Sequence, residues 1–141
     1  MSERIPIPVV AALLEDADGY FLIGRRPPTK PLPMRWEFPG GKVEPGETPL
    51  EALARELMEE LSIRVIPGKA WPVYLHHYEK VTVEMHAFTC RLAPGSPAPY
   101  AHEHMGLVWV RPDQMAEYDL CPADLPLIPW LKEEARTRAR P

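Results

Sequence analysis

The chain has 141 residues, 45% of them hydrophobic, and a formal net charge of −4. That size fits one domain over residues 1–141 with a real core. The acidic balance gives no overall field for a nucleic-acid polymer, no apolar run is long enough to span a bilayer, and two cysteines make no disulfide framework.

The start, "MSERIPIP", lacks a basic segment followed by an apolar one and does not read as a signal peptide. A cytoplasmic protein follows, monomer or homodimer, with no membrane partner. Its 19 prolines scatter through loops, which predicts rigid connections rather than disorder.

"IPVVAALLED", "DADG" and "YFLIGRR" read as strand, turn and strand, a hairpin closed by Asp-Gly. "PPTKPLPMR" is a Pro-rich loop, and "WEF" is a short strand before glycines. A helix starts with Thr48 as N-cap, Pro49 at its first position and Glu51 completing a capping box. Its apolar stripe is Leu50, Leu53, Ala54, Leu57 and Leu61. "IRVI" is a strand that Pro67-Gly68 breaks. "WPVYLHHYEKVTVEMHAFTCRL" reads as one or two long strands, "APGSPAPYAHEH" as a loop, "LVWV" as a strand and "PDQMAEY" as a short helix. A final helix starts near Pro126 and Pro129 and frays over "ARTRARP". Together these predict an α/β domain with a helix on a partly antiparallel sheet.

Glu56, Glu59 and Glu60 crowd one helical turn. Like charges at i, i+4 cost about 0.2–0.5 kcal/mol. A solvated acidic face is the bland reading, with Arg55 paired to Glu51 one turn back. The preceding "PGGKVEPGE" points elsewhere, because a glycine-rich turn brings backbone close to the carboxylates. Clustered hard oxygen ligands suit Mg²⁺ or Mn²⁺. The histidines do not: His76-His77 and His102-x-His104 lack the spacing of a compact zinc site.

Gly41, Glu47, Arg55-Glu56-Leu57, Glu59-Glu60 and Ile63 resemble the box G-x5-E-x7-R-E-U-x-E-E-x-G-U of the Nudix hydrolases, U being a bulky aliphatic residue. Six such matches at fixed spacing arise by chance about once in 10⁷ start positions. One position departs, Ser62 in place of the box glycine. Glycine there suits a left-handed cap. "WEFPGGKVEPGETP" resembles the MutT branch, and "AHEH…LVWV" and "PADLPLI" resemble the (d)CTP pyrophosphohydrolases.

The resemblance implies a Nudix fold, an α/β/α sandwich with a mixed sheet. It implies a Mg²⁺-dependent nucleoside triphosphate pyrophosphohydrolase releasing monophosphate and pyrophosphate. The substrate it favours is 8-oxo-dGTP, with (d)CTP or a modified pyrimidine triphosphate as alternative; a non-catalytic binding domain of this fold is a distant third. Metal ligands by the same resemblance are Glu56, Glu59, Glu60 and the Gly40 carbonyl. Arg55 orients Glu56, and Glu47 supports the metal shell. Glu103 matches an additional acidic ligand or base; its alternative is a solvated loop glutamate. Glu56 and Glu103 both remain candidates for the general base. Arg26 matches a substrate arginine, or is a solvated strand end with Arg25. Phe38 lines the base pocket, or is plain core. Asp124 stands where an asparagine reads the base, or is a helix N-cap; as an ionised carboxylate it would only accept hydrogen bonds.

Overall fold

The computed structural model describes residues 5–139. Strand β1, Ile7–Leu14, is the hub. It pairs in parallel with β7, Thr82–Leu92, and antiparallel with β4, Gly40–Lys42. Strand β5, Val65–Ala70, and β6, Tyr74–His77, run antiparallel to β7, completing a mixed five-stranded sheet. A second, antiparallel sheet has the order β3-β2-β8, from Trp36–Glu37, Phe21–Arg25 and Leu107–Val110.

The apolar run of β1 is explained by burial on both faces. Ala11 and Leu13 pack with Leu127, Ile128 and Leu131 of α2, Leu127–Ala139. Val10, Ala12 and Leu14 pack with Leu53, Leu57 and Leu61 of α1, Pro49–Leu61. The large sheet therefore lies between two helices, the α/β/α arrangement the resemblance implies. No helix among the described residues is long and apolar enough to cross a membrane.

The capping box is present: the Thr48 hydroxyl accepts from the Glu51 N–H, and the Glu51 carboxylate accepts from the Thr48 N–H. Ser62 takes the left-handed cap, with φ 57° and ψ 38°. Both unpaired cysteines, Cys90 and Cys121, are buried.

Four expectations need correction and one is refined. The Asp-Gly turn exists, but β1 and β2 diverge into different sheets, joined beside the turn by a bridge from Glu15 to Phe21. Turn chemistry is local, whereas partner choice depends on β7 and β8, which arrive late in the chain. Pro67-Gly68 does not end β5; the strand passes through with an irregular register. That is tolerated because β5 lies at an open edge, where a missing N–H is harmless. "PDQMAEY" forms a 3-10 helix, Pro112–Glu117, and a second short 3-10 turn spans Pro122–Asp124. The buried face of α1 is Ala52, Leu53, Leu57, Glu60 and Leu61, while Leu50 and Ala54 are exposed. At roughly 100° per residue Glu60 sits inside the packed arc rather than on its rim. Finally, α2 stays helical to Ala139, so residues 135–139 are not frayed as expected; residues 140–141 lie outside the described ones.

Candidate active site

The glycines of "PGGK" allow a close approach. A Cβ at Gly40 would collide with the Val10 carbonyl, and one at Gly41 would come within 2.6 Å of the Glu56 carboxylate. With both positions bare, β4 lies directly against α1. The Gly40 N–H donates to Glu60 Oε1 at 2.9 Å.

The three helix carboxylates differ in environment. Glu60 is 5% exposed; burial, then Glu37 and Glu56, push its carboxyl up to about 8. Glu56 is half-buried, and burial also raises it, opposed by Arg55. Glu59 is largely exposed. A buried carboxylate facing two others is costly when charged. Such an oxygen cluster fits a hard divalent cation, whose charge removes that cost.

Arg55 organises the group from behind. Its Nε and Nη2 make a side-on fork with Glu47 at 2.7 and 3.0 Å. Nη1 reaches Glu56 at 3.0 Å and Glu59 at 3.3 Å. Nη2 also donates to the Lys42 carbonyl at 2.9 Å, tying α1 to β4. Arg55 does not pair with Glu51, because the capping box holds that carboxylate.

The loop carrying Glu103 is pinned to the C-terminus of α1. The Tyr100 N–H donates to the Leu61 carbonyl, and the His102 N–H to that of Glu60. The helix end leaves these carbonyls without internal partners, so satisfying them brings the loop beside Glu60. Ser62 Oγ and His102 Nε2 are 2.6 Å apart and add a side-chain tie. Glu103 is half-exposed and accepts from Lys30 Nζ at 2.7 Å, which lowers its carboxyl.

A cleft of about 780 Å³ runs from these carboxylates to Asp124. Arg26, Phe38, Gly40, Glu56, Glu59, Glu60, Glu103 and Asp124 all line it; Glu47 and Arg55 stand behind it. Arg26 is not a solvated strand end: Nη1 meets Glu37 Oε1 at 2.7 Å and Nε donates to the Pro31 carbonyl. Arg25 is the exposed neighbour. Phe38 is both core and wall, at 3% exposure.

Asp124 is not a helix cap. Its Oδ2 accepts from the Phe38 N–H at 3.0 Å, across 86 residues of chain. Burial, then Glu37, push its carboxyl up to about 8, against the Phe38 hydrogen bond and Arg26. Burial therefore favours the protonated form over the ionised acceptor expected from the sequence. A protonated carboxyl donates as well as accepts, as asparagine does.

Four groups in or directly behind the cleft were missed in the sequence. Glu37 bridges Arg26 and His104, its Oε2 3.0 Å from His104 Nε2. Ligand atoms of Glu37, Glu60 and His104 lie within 4.8 Å of one another. Tyr78 accepts from the Ala123 N–H through its hydroxyl, beside Asp124. Lys30 is the fourth. A carboxylate inside the apolar "WEF" was the one readable signal. A larger depression of about 970 Å³ lies elsewhere, against the α2 end, lined by Glu15, Arg91 and Arg138. Glu15 there is already engaged by Arg138 at 2.8 Å, so the chemistry belongs to the smaller cleft.

The model of the NUDIX domain matches residues 6–131. The chain is 40% identical over 122 residues to an Escherichia coli K12 protein named CTP pyrophosphohydrolase, covering 86% of this chain and 88% of that one. It is 38% identical over 120 residues to a Mycobacterium tuberculosis H37Rv protein named putative 8-oxo-dGTP diphosphatase 2, covering 79% and 75%. The crystal structure of a MutT protein from Methanosarcina mazei Go1 superposes with a TM-score of 0.79 at 25% identity, covering 99% and 100% of the two chains. With the domain model matching residues 6–131 and a relative 40% identical over 86% of the chain, the chain belongs to the Nudix family of hydrolases.

Proposed function

We propose that this enzyme hydrolyses a nucleoside triphosphate to monophosphate and pyrophosphate, its base preference set by the edge the base turns toward Asp124. The buried Asp124 carboxyl lining the cleft carries this reading, in the protonated form that its burial favours. Such a group accepts from one base atom and donates to its neighbour. Cytosine offers this pair through its amine and ring nitrogen. 8-oxoguanine offers it through N7–H and O6, whereas ordinary guanine has two acceptors at that edge. The 40%-identical relative named CTP pyrophosphohydrolase favours cytosine. The 38%-identical relative named putative 8-oxo-dGTP diphosphatase 2 favours 8-oxoguanine as the second reading.

Glu56, Glu59, Glu60, Glu103 and the Gly40 carbonyl are the ligands proposed for Mg²⁺ or Mn²⁺, which when bound supplies charge neutralisation for the phosphate oxygens. Arg55 holds Glu56 in place. Glu56 and Glu103 both line the cleft and are the two candidates for the general base. Arg26 is assigned to the nucleotide and Phe38 to the base wall.

A panel of CTP, dCTP, 8-oxo-dGTP, dGTP and dTTP with Mg²⁺, read by chromatography of products, tests this. Cytosine nucleotides should give the highest kcat/KM, with 8-oxo-dGTP above dGTP. Diphosphate plus single phosphate would overturn the attack site, and dGTP turned over as fast as dCTP would overturn the base reading.

A further inference from the structure

Lys30 has no part in the chemistry above. It projects from the Pro-rich loop between β2 and β3 and meets Glu103 across 73 residues of chain, at 2.7 Å. Both side chains are about half-exposed, at 41% and 49%. An ion pair so open to water is weak and exchanges readily.

The loop is costly to build. Leu32 and Met34 both have positive φ, 54° and 65°, a region unfavourable for residues with a Cβ. Strain of this kind persists only where surrounding contacts over-determine it. Here Arg26 Nε bonds the Pro31 carbonyl at 2.7 Å and Arg25 Nε the Met34 carbonyl at 3.1 Å. Pro27, Pro28, Pro31 and Pro33 stiffen the rest. A rigid platform thus carries one flexible cation over the cleft.

Charge gives that cation a purpose. Seven carboxyl groups and four cationic side chains line the cleft. Arg26, part-buried, is held by Glu37 and by the Pro31 carbonyl of its own loop. A triphosphate entering this acidic channel needs a cation that can move onto it. Lysine is a compact point charge on a flexible stem, suited to phosphate. Asp124 holds the buried inner end, so a bound nucleotide points its outer phosphates at the mouth, where Lys30 stands.

We propose that Lys30 is a phosphate-binding residue parked on Glu103 in the free enzyme. It exchanges that carboxylate for the β- and γ-phosphates of the substrate, leaving Glu103 open to a divalent cation. This rests on the pyrophosphohydrolase reading above.

The test compares the parent with Lys30→Ala and Lys30→Arg by calorimetry, using a non-hydrolysable α,β-methylene dCTP analogue and dCMP, each with Mg²⁺, and Mg²⁺ alone. Lys30→Ala should weaken the analogue about 10-fold and dCMP less than 2-fold. Mg²⁺ alone should bind about 3-fold tighter, because Glu103 no longer has a competing partner. Lys30→Arg should recover most of the analogue affinity. Steady-state KM should rise with Lys30→Ala more than kcat falls. Unchanged analogue binding in Lys30→Ala, with or without a lower melting temperature, would overturn the proposal, since the ion pair would then be structural. An equal loss for the analogue and dCMP would also overturn it. A parent enzyme that binds no triphosphate analogue removes the underlying reading together with the proposal.

Discussion

The two ends of the cleft are built in opposite ways. The carboxylate end comes from one contiguous stretch, Gly40 to Glu60, in which a glycine turn feeds directly into a capped helix. The base end collects Arg26, Glu37, Phe38, Tyr78, His104 and Asp124 from five separate segments. The first end gathers charge and relies on Arg55 to hold it. The second holds one carboxyl, Asp124, out of water beside the Arg26–Glu37 ion pair. Burial raises a carboxyl at each end, Glu60 and Asp124, but only the first end gathers several carboxylates at one point.

The sharpest way to break this contrast is at the carboxylate end. Glu56→Gln and Glu60→Gln should each lower kcat by about 10²–10⁴-fold, the range for losing an acid–base or charge-stabilising group. Glu60→Gln should not lower the melting temperature of the metal-free protein, because an amide still accepts from Gly40 without carrying a buried charge. Near-parental turnover in both variants would return the cluster to a structural role.

At the base end, Asp124→Ala should cost about 10²-fold in kcat/KM for the preferred nucleotide, since the base loses both bonds of a buried pair. Asp124→Asn should cost far less, because an amide presents the same donor and acceptor as the protonated carboxyl. An Asn variant as impaired as the Ala variant would mean that the ionised form reads the base.

The same carboxyl makes stability depend on pH. Its folded value of about 8 lies above the ordinary range. The native state therefore holds a proton that the unfolded chain has already lost, and unfolding releases it. Stability contributed by Asp124 is full below about pH 4 and falls as pH rises toward 8, by up to roughly 1.4 kcal/mol per pH unit. Denaturant midpoints of the metal-free protein should decline over this window more steeply in the parent than in Asp124→Asn. Parallel profiles would place an ordinary ionised aspartate there.

The smallest effect concerns Ser62. Its left-handed conformation costs on the order of 1 kcal/mol that glycine would not incur. Its hydroxyl recovers about as much through His102, within the 0.5–1.5 kcal/mol typical of one hydrogen bond. Ser62→Gly should therefore leave the denaturant midpoint nearly unchanged, whereas Ser62→Ala, losing the bond and keeping the strain, should lower it. Equal midpoints for Gly and Ala would show that the cap carries no strain.

The sequence by itself determined the α1 segment: its cap, its glycine approach and its acidic face depend on residues within one helical turn or one tight turn of each other. It also determined the family, because that local arrangement is the box. Only the tertiary structure decided which strands the first two segments join, since a turn specifies proximity and not pairing partners. It likewise decided that Glu60 faces inward and that Asp124 is buried deeply enough to raise its carboxyl. Burial is a property of everything packed around a group, and the Phe38 amide that holds Asp124 lies 86 residues earlier in the chain.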